Sequence, residues 1–339
     1  MEFLQDQSLK TYNTFGIDQK CAWFCVLNHE NELHEIRKFL EEYPMEILII
    51  GGGSNLLLTK DFDGLVVKNN LKGIKIEIEK NDKVYVKTMA GEVWHNLVKW
   101  TIDHGFGGLE NLSLIPGCVG AAPMQNIGAY GVELKDTFFE LEAIHLKTGE
   151  KKIFTNVECR FGYRESVFKN EVKGQYIIVS VTFKLSKNPE FKTTYGAIRE
   201  ELDAMGVQEL STAAISQAVI NIRSSKLPDP AKIGNAGSFF KNPVVTQETA
   251  DRLKAEYPDM PVYPAADNRA KLAAGWLIEK AGWKGKTIDD RYGVHKLQAL
   301  VLVNYSEATG NEVYRLSEDI LADIKSRFGI ELEREVNII

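Results

Sequence analysis

Residues 235–243 read NAGSFFKNP, and three of them carry groups able to act on a ligand. Ser238 brings a hydroxyl, Lys241 a cation and Asn242 an amide. Ala236 and Gly237 allow close approach, while Phe239 and Phe240 suit anchors in a core. The stretch reads equally as a tight turn into a strand or as a place where a hydroxyl is held for chemistry. A second concentration, Gly51, Gly52 and Gly53 with Ser54 and Asn55, follows the apolar run ILII. The dinucleotide fingerprint GxGxxG would need glycine at 56, where Leu56 stands, so this is no Rossmann turn. The glycine N–H groups can still face an anion, with Ser54 and Asn55 as further donors. A plain strand-to-strand turn explains the segment equally well. The loop at 113–131 shifts the balance. It carries Gly117, Gly120, Gly128 and Gly131 with Ala121, Ala122 and Ala129 between them. Ser113, Gln125, Asn126 and Tyr130 offer polar contacts. A long, nearly uncharged loop of small residues suits a flat ligand better than a linker.

Other chemistries lack their signatures. No GK[ST] ends a glycine run, no HExxH occurs, and GxSxG fails at Leu56. The six histidines, at 29, 34, 95, 104, 145 and 295, form no metal-spaced cluster. Cys21, Cys25, Cys118 and Cys159 show no CxxC pair, which predicts reduced thiols and no metal site. The 41 basic and 47 acidic residues give a net charge of −6, against a general nucleic-acid binder. The opening MEFLQDQSLKTYNTFG is unlike a signal peptide, and runs such as ILII and ALVLV are strand-sized. A cytoplasmic protein without a membrane partner is expected.

These residues need elements to hold them. At 339 residues, two or three domains are expected. The spacing of Leu33, Ile36, Phe39, Leu40 and Tyr43 predicts a helix over 30–43, ended by Pro44. EILII, GLVVK, IKIEIE and VYVKTMA read as strands. Residues 92–104 read as an amphipathic helix with Val93, Trp94, Leu97, Val98, Thr101 and Ile102 inward. Strands return at ELEAIHLKTGEKKIF and YIIVSVTFKL, and a helix leads into the proline-rich KLPDP, with a boundary near residue 215. KLAAGWLIEKAG and NEVYRLSEDILADIKSRFG read as helices around the strand ALVLVN, with Gly329 as a C-cap. IELEREVNII reads as a closing strand that would put Glu331, Glu333 and Glu335 on one face. Fraying of its last residues would loosen Glu335.

Taken together, NTFG, IGGGSNLLL, IPGCVGAAPMQNIGAYG, CRFGYRESVFK, RSSKLPDP, GNAGSFFKNP and AAGWLIEKAG resemble the UDP-N-acetylenolpyruvoylglucosamine reductases in order and over nearly the whole chain. TTYGAIREEL around Tyr195 is similar to the tyrosine loop of the type I members. The resemblance implies an α+β protein: a two-subdomain FAD-binding fold of the vanillyl-alcohol-oxidase-like type and a C-terminal α+β substrate-binding domain. The expected divisions are 1–72, 73–215 with the tyrosine loop near 190–200, and 216–339, the last strand returning to the active site.

The implied reaction is NADPH-dependent, FAD-mediated reduction of UDP-N-acetylglucosamine enolpyruvate in peptidoglycan precursor synthesis, by a monomer. FAD would be held non-covalently by Gly51, Gly53, Ser54, Asn55, Leu56, Ser113, Pro116, Gly117, Gly120, Ala121, Gln125, Asn126, Tyr130, Ile178 and Arg223. Arg164 would stabilise charge growing on the substrate carboxylate, since its planar fork matches a carboxylate. Ser238 would give the proton to C2, and Glu335 would hydrogen-bond there or orient Arg164, with Glu333 the runner-up. Lys226 and Asn242 would contact the UDP part, and Tyr195 would close over the diphosphate. Tyr263, Lys271, Lys284 and Gln298 are further substrate positions by the same resemblance. Two other classes are weighed against it. An oxygen-using flavin oxidase, tethered at Cys118, would share the fold. A nucleotide-sugar binding module would lack Arg164, Ser238 or Glu335, and all three are present.

Overall fold

The computed structural model describes residues 1–195 and 197–339. Two compact units emerge. The first joins residues 1–7, 21–52 and 62–225; the second joins 8–20, 53–61 and 226–339. Among the described residues no helix is long and apolar enough to cross a membrane.

The first unit holds two sheets. In one, strand Phe62–Asn69 lies between Lys20–Leu27 and Glu46–Ile50 and runs parallel to both. Leu65, Val66 and Val67 are fully buried, the near-continuous apolar run expected of a strand covered on both faces. Helix Leu33–Glu42 covers this sheet with Leu33 and Ile36 buried, and Phe39 stacks on Phe3 with centroids 4.1 Å apart. The other sheet has five strands, in the order Lys151–Thr155, Phe138–His145, Tyr176–Ser186, Lys83–Met89 and Ile74–Lys80. Helix Trp94–Asp103 packs into the core of this sheet through Trp94, Leu97, Val98 and Thr101. Full burial of side chains such as Leu97 and Val98 contributes about 1.5–3 kcal/mol each. Val93, expected in the same stripe, is instead 41 % exposed. It stands at the N-cap with extended backbone, outside the helical period.

Helix Thr212–Lys226 runs unbroken across the boundary expected near residue 215, and the first unit ends at Ser225. The loop at 113–131 has more regular structure than its composition predicts. A 3-10 segment covers Val119–Gln125, and a short strand pair joins Gly128–Ala129 to Val132–Glu133.

The second unit is built on the sheet Gly234–Ser238, Val301–Asn304, Tyr292–Val294 and Thr287–Ile288. Helix Gly310–Phe328 lies with it. Thr309 and Glu312 form its capping box, and Gly329 takes the left-handed C-cap at φ 68. The early segments belong to this core. Asn304 Nδ2 donates to Phe15 O at 2.9 Å, and a Cβ on Gly310 would lie 1.8 Å from Leu58 O. The closing segment is less strand-like than IELEREVNII predicts. Only Asn337–Ile338 forms a strand, parallel to Leu56–Leu57, with an isolated bridge from Arg334 to Phe240.

Candidate functional site

In the first unit the two glycine segments lie against each other. A Cβ on Gly52 would stand 3.1 Å from Gly117 Cα, and one on Gly51 would stand 3.0 Å from Cys118 Cβ. Such approach needs glycine at both positions. Lys68 lies at the carboxyl end of its strand and donates its ammonium to Gly51 O. Burial pulls its pKa down, Cys118 opposing and Lys72 adding to the effect. Among the described residues no carboxylate pairs with Lys68.

The loop from 114 to 120 is stitched to the start of helix Trp94–Asp103. Trp94 N donates to Gly117 O at 3.0 Å, Val119 N to Glu92 O at 2.9 Å and Gly120 N to Ala90 O at 2.8 Å. Trp94 Nε1 reaches Leu112 O at 2.8 Å. Leu114 N donates to His95 Nδ1 at 3.0 Å.

Ser113 and Asn126, two of the candidate cofactor contacts, spend their side-chain hydrogen bonds within the protein. Ser113 is fully buried, bonded to Glu110 O and to Ser216 Oγ, both at 2.7 Å. Asn126 is equally buried at φ 45, and Asn126 Nδ2 donates to Gly162 O at 3.0 Å and Glu133 Oε2 at 3.2 Å. Its Oδ1 accepts from Lys135 N at 3.0 Å. These amide and hydroxyl groups hold the loop's shape. Ile178 is buried in the central strand, its carbonyl accepting from Asn69 Nδ2 at 2.9 Å. Pro116 and Ala121 lie exposed on the loop, and Gly120 and Gln125 are half-buried.

Arg164 sits at φ 57 in a tight turn closed by Gly162 and Glu165, and its Nη2 donates to Gly128 O at 2.8 Å. Glu165, next along the turn, accepts from Asn170 at 3.1 Å and lies 3.8 Å from Lys169 Nζ. Arg223, on helix Thr212–Lys226, has its Nε sealed from solvent with no hydrogen-bond partner among the described residues. Burial lowers its pKa, the Tyr130 hydroxyl opposes this, and the charge of Arg164 adds to it. Tyr130, at φ 50, has its hydroxyl pKa raised by burial, against Arg223 and together with Tyr195. Tyr195 lies against Gly131 and is 48 % exposed. Its loop includes residue 196, outside the described residues. Two guanidiniums and a tyrosine therefore cluster in this unit, and a cluster of that kind suits an anion.

In the second unit Ser238 ends a strand that carries a bulge. Asn235 pairs with Val303 and Ser238 with Val301, so one residue is extra. Gly237 absorbs it at φ 70, its N–H held by Asn235 Oδ1 at 2.9 Å. Phe239 and Phe240 are fully buried behind the half-exposed Ser238. Among the described residues the Ser238 hydroxyl makes no hydrogen bond. Glu335 is brought to the same strand end. Its N–H donates to Phe239 O at 2.8 Å, and its carbonyl accepts from Asn55 Nδ2 at 3.1 Å. Thr59 holds Ile339 O through its N–H at 2.7 Å and its hydroxyl at 2.8 Å, so the closing segment is fastened rather than frayed. Glu335 is half-buried, whereas Glu331 and Glu333 are exposed. Glu333 pairs with Lys241 at 3.0 Å.

The remaining second-unit positions are spread more widely. Asn242 Oδ1 accepts from Ala274 N at 2.9 Å, capping helix Ala274–Lys280. Lys271 and Tyr263 are cross-strand partners. Gln298 Oε1 lies 3.3 Å from a Cβ built on Gly275, Lys284 pairs with Glu279 at 2.9 Å, and Lys226 is exposed. Ser54 and Leu56 are half-buried beside Gly53, which sits at φ 62. Histidine spacing alone gives His95 no role, because it belongs to no metal-spaced cluster. Its place one residue into a helix that precedes a glycine-rich loop was the available signal.

The chain is similar to known proteins over its whole length. Residues 22–153 match a family described as an FAD binding domain. Residues 229–339 match the C-terminal domain family of UDP-N-acetylenolpyruvoylglucosamine reductase. The reductase of that name from Flavobacterium johnsoniae is 52% identical over 340 residues, covering 100% of both chains. The one from Pseudomonas putida is 49% identical, covering 100% of this chain and 99% of that protein. The crystal structure of the Thermus caldophilus reductase aligns with TM-score 0.68 at 21% identity, over 99% of this chain and 98% of that one. A solvent-stable cholesterol oxidase shares the fold more distantly, at TM-score 0.51 and 13% identity, over 97% and 86% of the two chains. The fold is α+β, an FAD-binding fold of the vanillyl-alcohol-oxidase-like type with a C-terminal α+β domain.

Proposed function

Because this chain belongs to the UDP-N-acetylenolpyruvoylglucosamine reductase family, we propose that it reduces UDP-N-acetylglucosamine enolpyruvate to UDP-N-acetylmuramate in peptidoglycan precursor synthesis. NADPH is the reductant, FAD is bound non-covalently, and the enzyme works as a cytoplasmic monomer. The observation that carries the reading is Arg223, a guanidinium with a sealed Nε and no carboxylate partner among the described residues, its pKa lowered by burial and by the charge of the neighbouring Arg164. A half-buried cation without a counter-ion favours an anionic ligand. The first unit's residues also fit FAD. Gly51, Gly52 and Gly117 leave no room for side chains where a diphosphate would meet backbone, and the half-buried Lys68 supplies charge there.

When bound, FAD supplies the hydride chemistry between NADPH and the enolpyruvyl double bond. Arg164, oriented at one nitrogen by Gly128 O, pairs with the substrate carboxylate and stabilises the negative charge that grows there and at C2. Ser238 gives its proton to C2. A hydroxyl is a weak acid, but an enolate carbon is a strong enough base, and the bulge at Gly237 fixes where the hydroxyl stands. Glu335, pinned through both of its backbone polar groups, is a positioning residue at that strand end. Lys226, Asn242, Tyr263, Lys271, Lys284 and Gln298 bind the nucleotide-sugar part, and Tyr195 closes over the diphosphate.

The test is an anaerobic absorbance experiment on purified protein. A flavin spectrum bleached by NADPH and restored by UDP-N-acetylglucosamine enolpyruvate is the expected result. A bleached flavin restored only by air would overturn the reductase reading in favour of an oxidase. No flavin after reconstitution with FAD would overturn the cofactor assignment.

A further inference from the structure

Of the ties that fasten residues 112–120 to residues 90–95, one involves a group that titrates near neutrality. Gly117, Val119 and Gly120 are held by backbone bonds, and Leu112 by the Trp94 indole. Leu114 is held by the His95 imidazole, its N–H lying 3.0 Å from Nδ1. Leu114 is also the strained point of the segment. It sits at φ 59, where a leucine side chain is disfavoured and where the chain turns toward Pro116 and Gly117. An amide can only donate, so Nδ1 must accept. That fixes the neutral Nε2–H tautomer and forbids the imidazolium, in which both nitrogens donate.

We propose that His95 is a positioning residue that, as a neutral imidazole, fixes the turn at Leu114 and through it the cofactor loop. The inference rests on the reading of residues 113–130 as that loop. The ring's surroundings favour the required form. Burial comes first, and the charged groups facing the ring are Lys99 on its own helix and Arg223 on helix Thr212–Lys226. Both are cations, and all three effects lower the His95 pKa. The sign follows. The bond is fully present above the histidine's folded pKa and is lost as pH falls through it. Acid therefore loosens the turn by protonating Nδ1, and FAD binding weakens with it.

Two readouts on the purified protein test this. The first is amide hydrogen exchange of the segment around Leu114 in the FAD-free protein. The second is FAD affinity from flavin fluorescence, between about pH 8 and about pH 5. His95→Leu removes the acceptor. It should speed exchange at Leu114 and weaken FAD binding roughly five- to tenfold at neutral pH. His95→Asn keeps an acceptor oxygen near the Nδ1 position and does not titrate. It should preserve both properties and abolish the acid weakening seen in the wild type. Unchanged exchange at Leu114 in folded His95→Leu overturns the inference whatever FAD does, as does wild-type protection that is flat with pH. Faster exchange with unaltered FAD affinity would support the tie at Leu114 and instead refute the cofactor reading of the loop.

Discussion

Replacing Ser238 with alanine separates the proton from everything else the site does. The hydroxyl is half-exposed and makes no hydrogen bond among the described residues, so no protein partner is orphaned by its removal. The fold around it rests on Phe239, Phe240 and the Gly237 bulge, all untouched. The stability change should fall within about 0.5 kcal/mol. Loss of a positioned general acid, by contrast, costs about 10²–10⁴ in rate. At 1.36 kcal/mol per decade that is roughly 2.7–5.4 kcal/mol of transition-state stabilisation. The effect on turnover should therefore exceed the effect on stability several-fold in energy. Anaerobic stopped-flow absorbance reads the two half-reactions apart. Flavin bleaching by NADPH should proceed at near the wild-type rate in Ser238→Ala, while reoxidation by the enolpyruvyl substrate slows by the factor above. Equal slowing of both halves would refute the proton-donor assignment. So would near-normal reoxidation, because alanine has no proton to give.

Other perturbations follow from the same structure. A methyl on Gly53 would meet Tyr12 O at 1.9 Å, at φ 62, so Gly53→Ala adds left-handed strain to a backbone clash. A loss of about 3–5 kcal/mol is expected, read as a drop of roughly 6–15 °C in the thermal midpoint, and an unchanged midpoint would disprove the close approach. Burial pushes the Cys21 thiol up to about 11 and the Cys25 and Cys159 thiols up to about 12. These three should resist a thiolate-selective disulfide reagent at mildly alkaline pH until denaturant is added, and fast native-state labelling of any of them would contradict their burial.

Periodicity made the longest elements legible. Leu33 and Ile36, or Val313, Leu316, Ile320 and Ile324, repeat at helical spacing and are buried as that spacing demands. The resemblance drew attention to Ser238, Arg164 and Glu335, but no local pattern distinguishes a serine with an unspent hydroxyl from one such as Ser113. Ser113 and Asn126 sit in the same glycine-rich stretch as the exposed loop residues. Only the fold reveals that Ser216, Gly162 and Lys135 consume their hydrogen bonds. The same limit hid His95, whose partner is a backbone amide 19 positions away. It also hid the membership of residues 8–20 and 53–61 in the second unit, since long-range packing leaves no periodic trace. The closing segment reads as one strand because charged and apolar residues alternate, yet its backbone bonds change partner along it, from Lys241 and Phe239 to Asn55, Leu57 and Thr59.

That discontinuous second unit has a consequence for assembly of the molecule. Its core includes Phe15, Ile17, Leu57 and Leu58, which reach their burial only with residues from 226 onward. During synthesis on the ribosome, those early segments must wait for some 165 further residues before their partners exist. Until then they are apolar stretches without their partners. It also means that residues 229–339, excised as a gene fragment, would lack part of their own interior. The unit that carries Ser238 and Glu335 is separable in space but not by a single cut in the polypeptide.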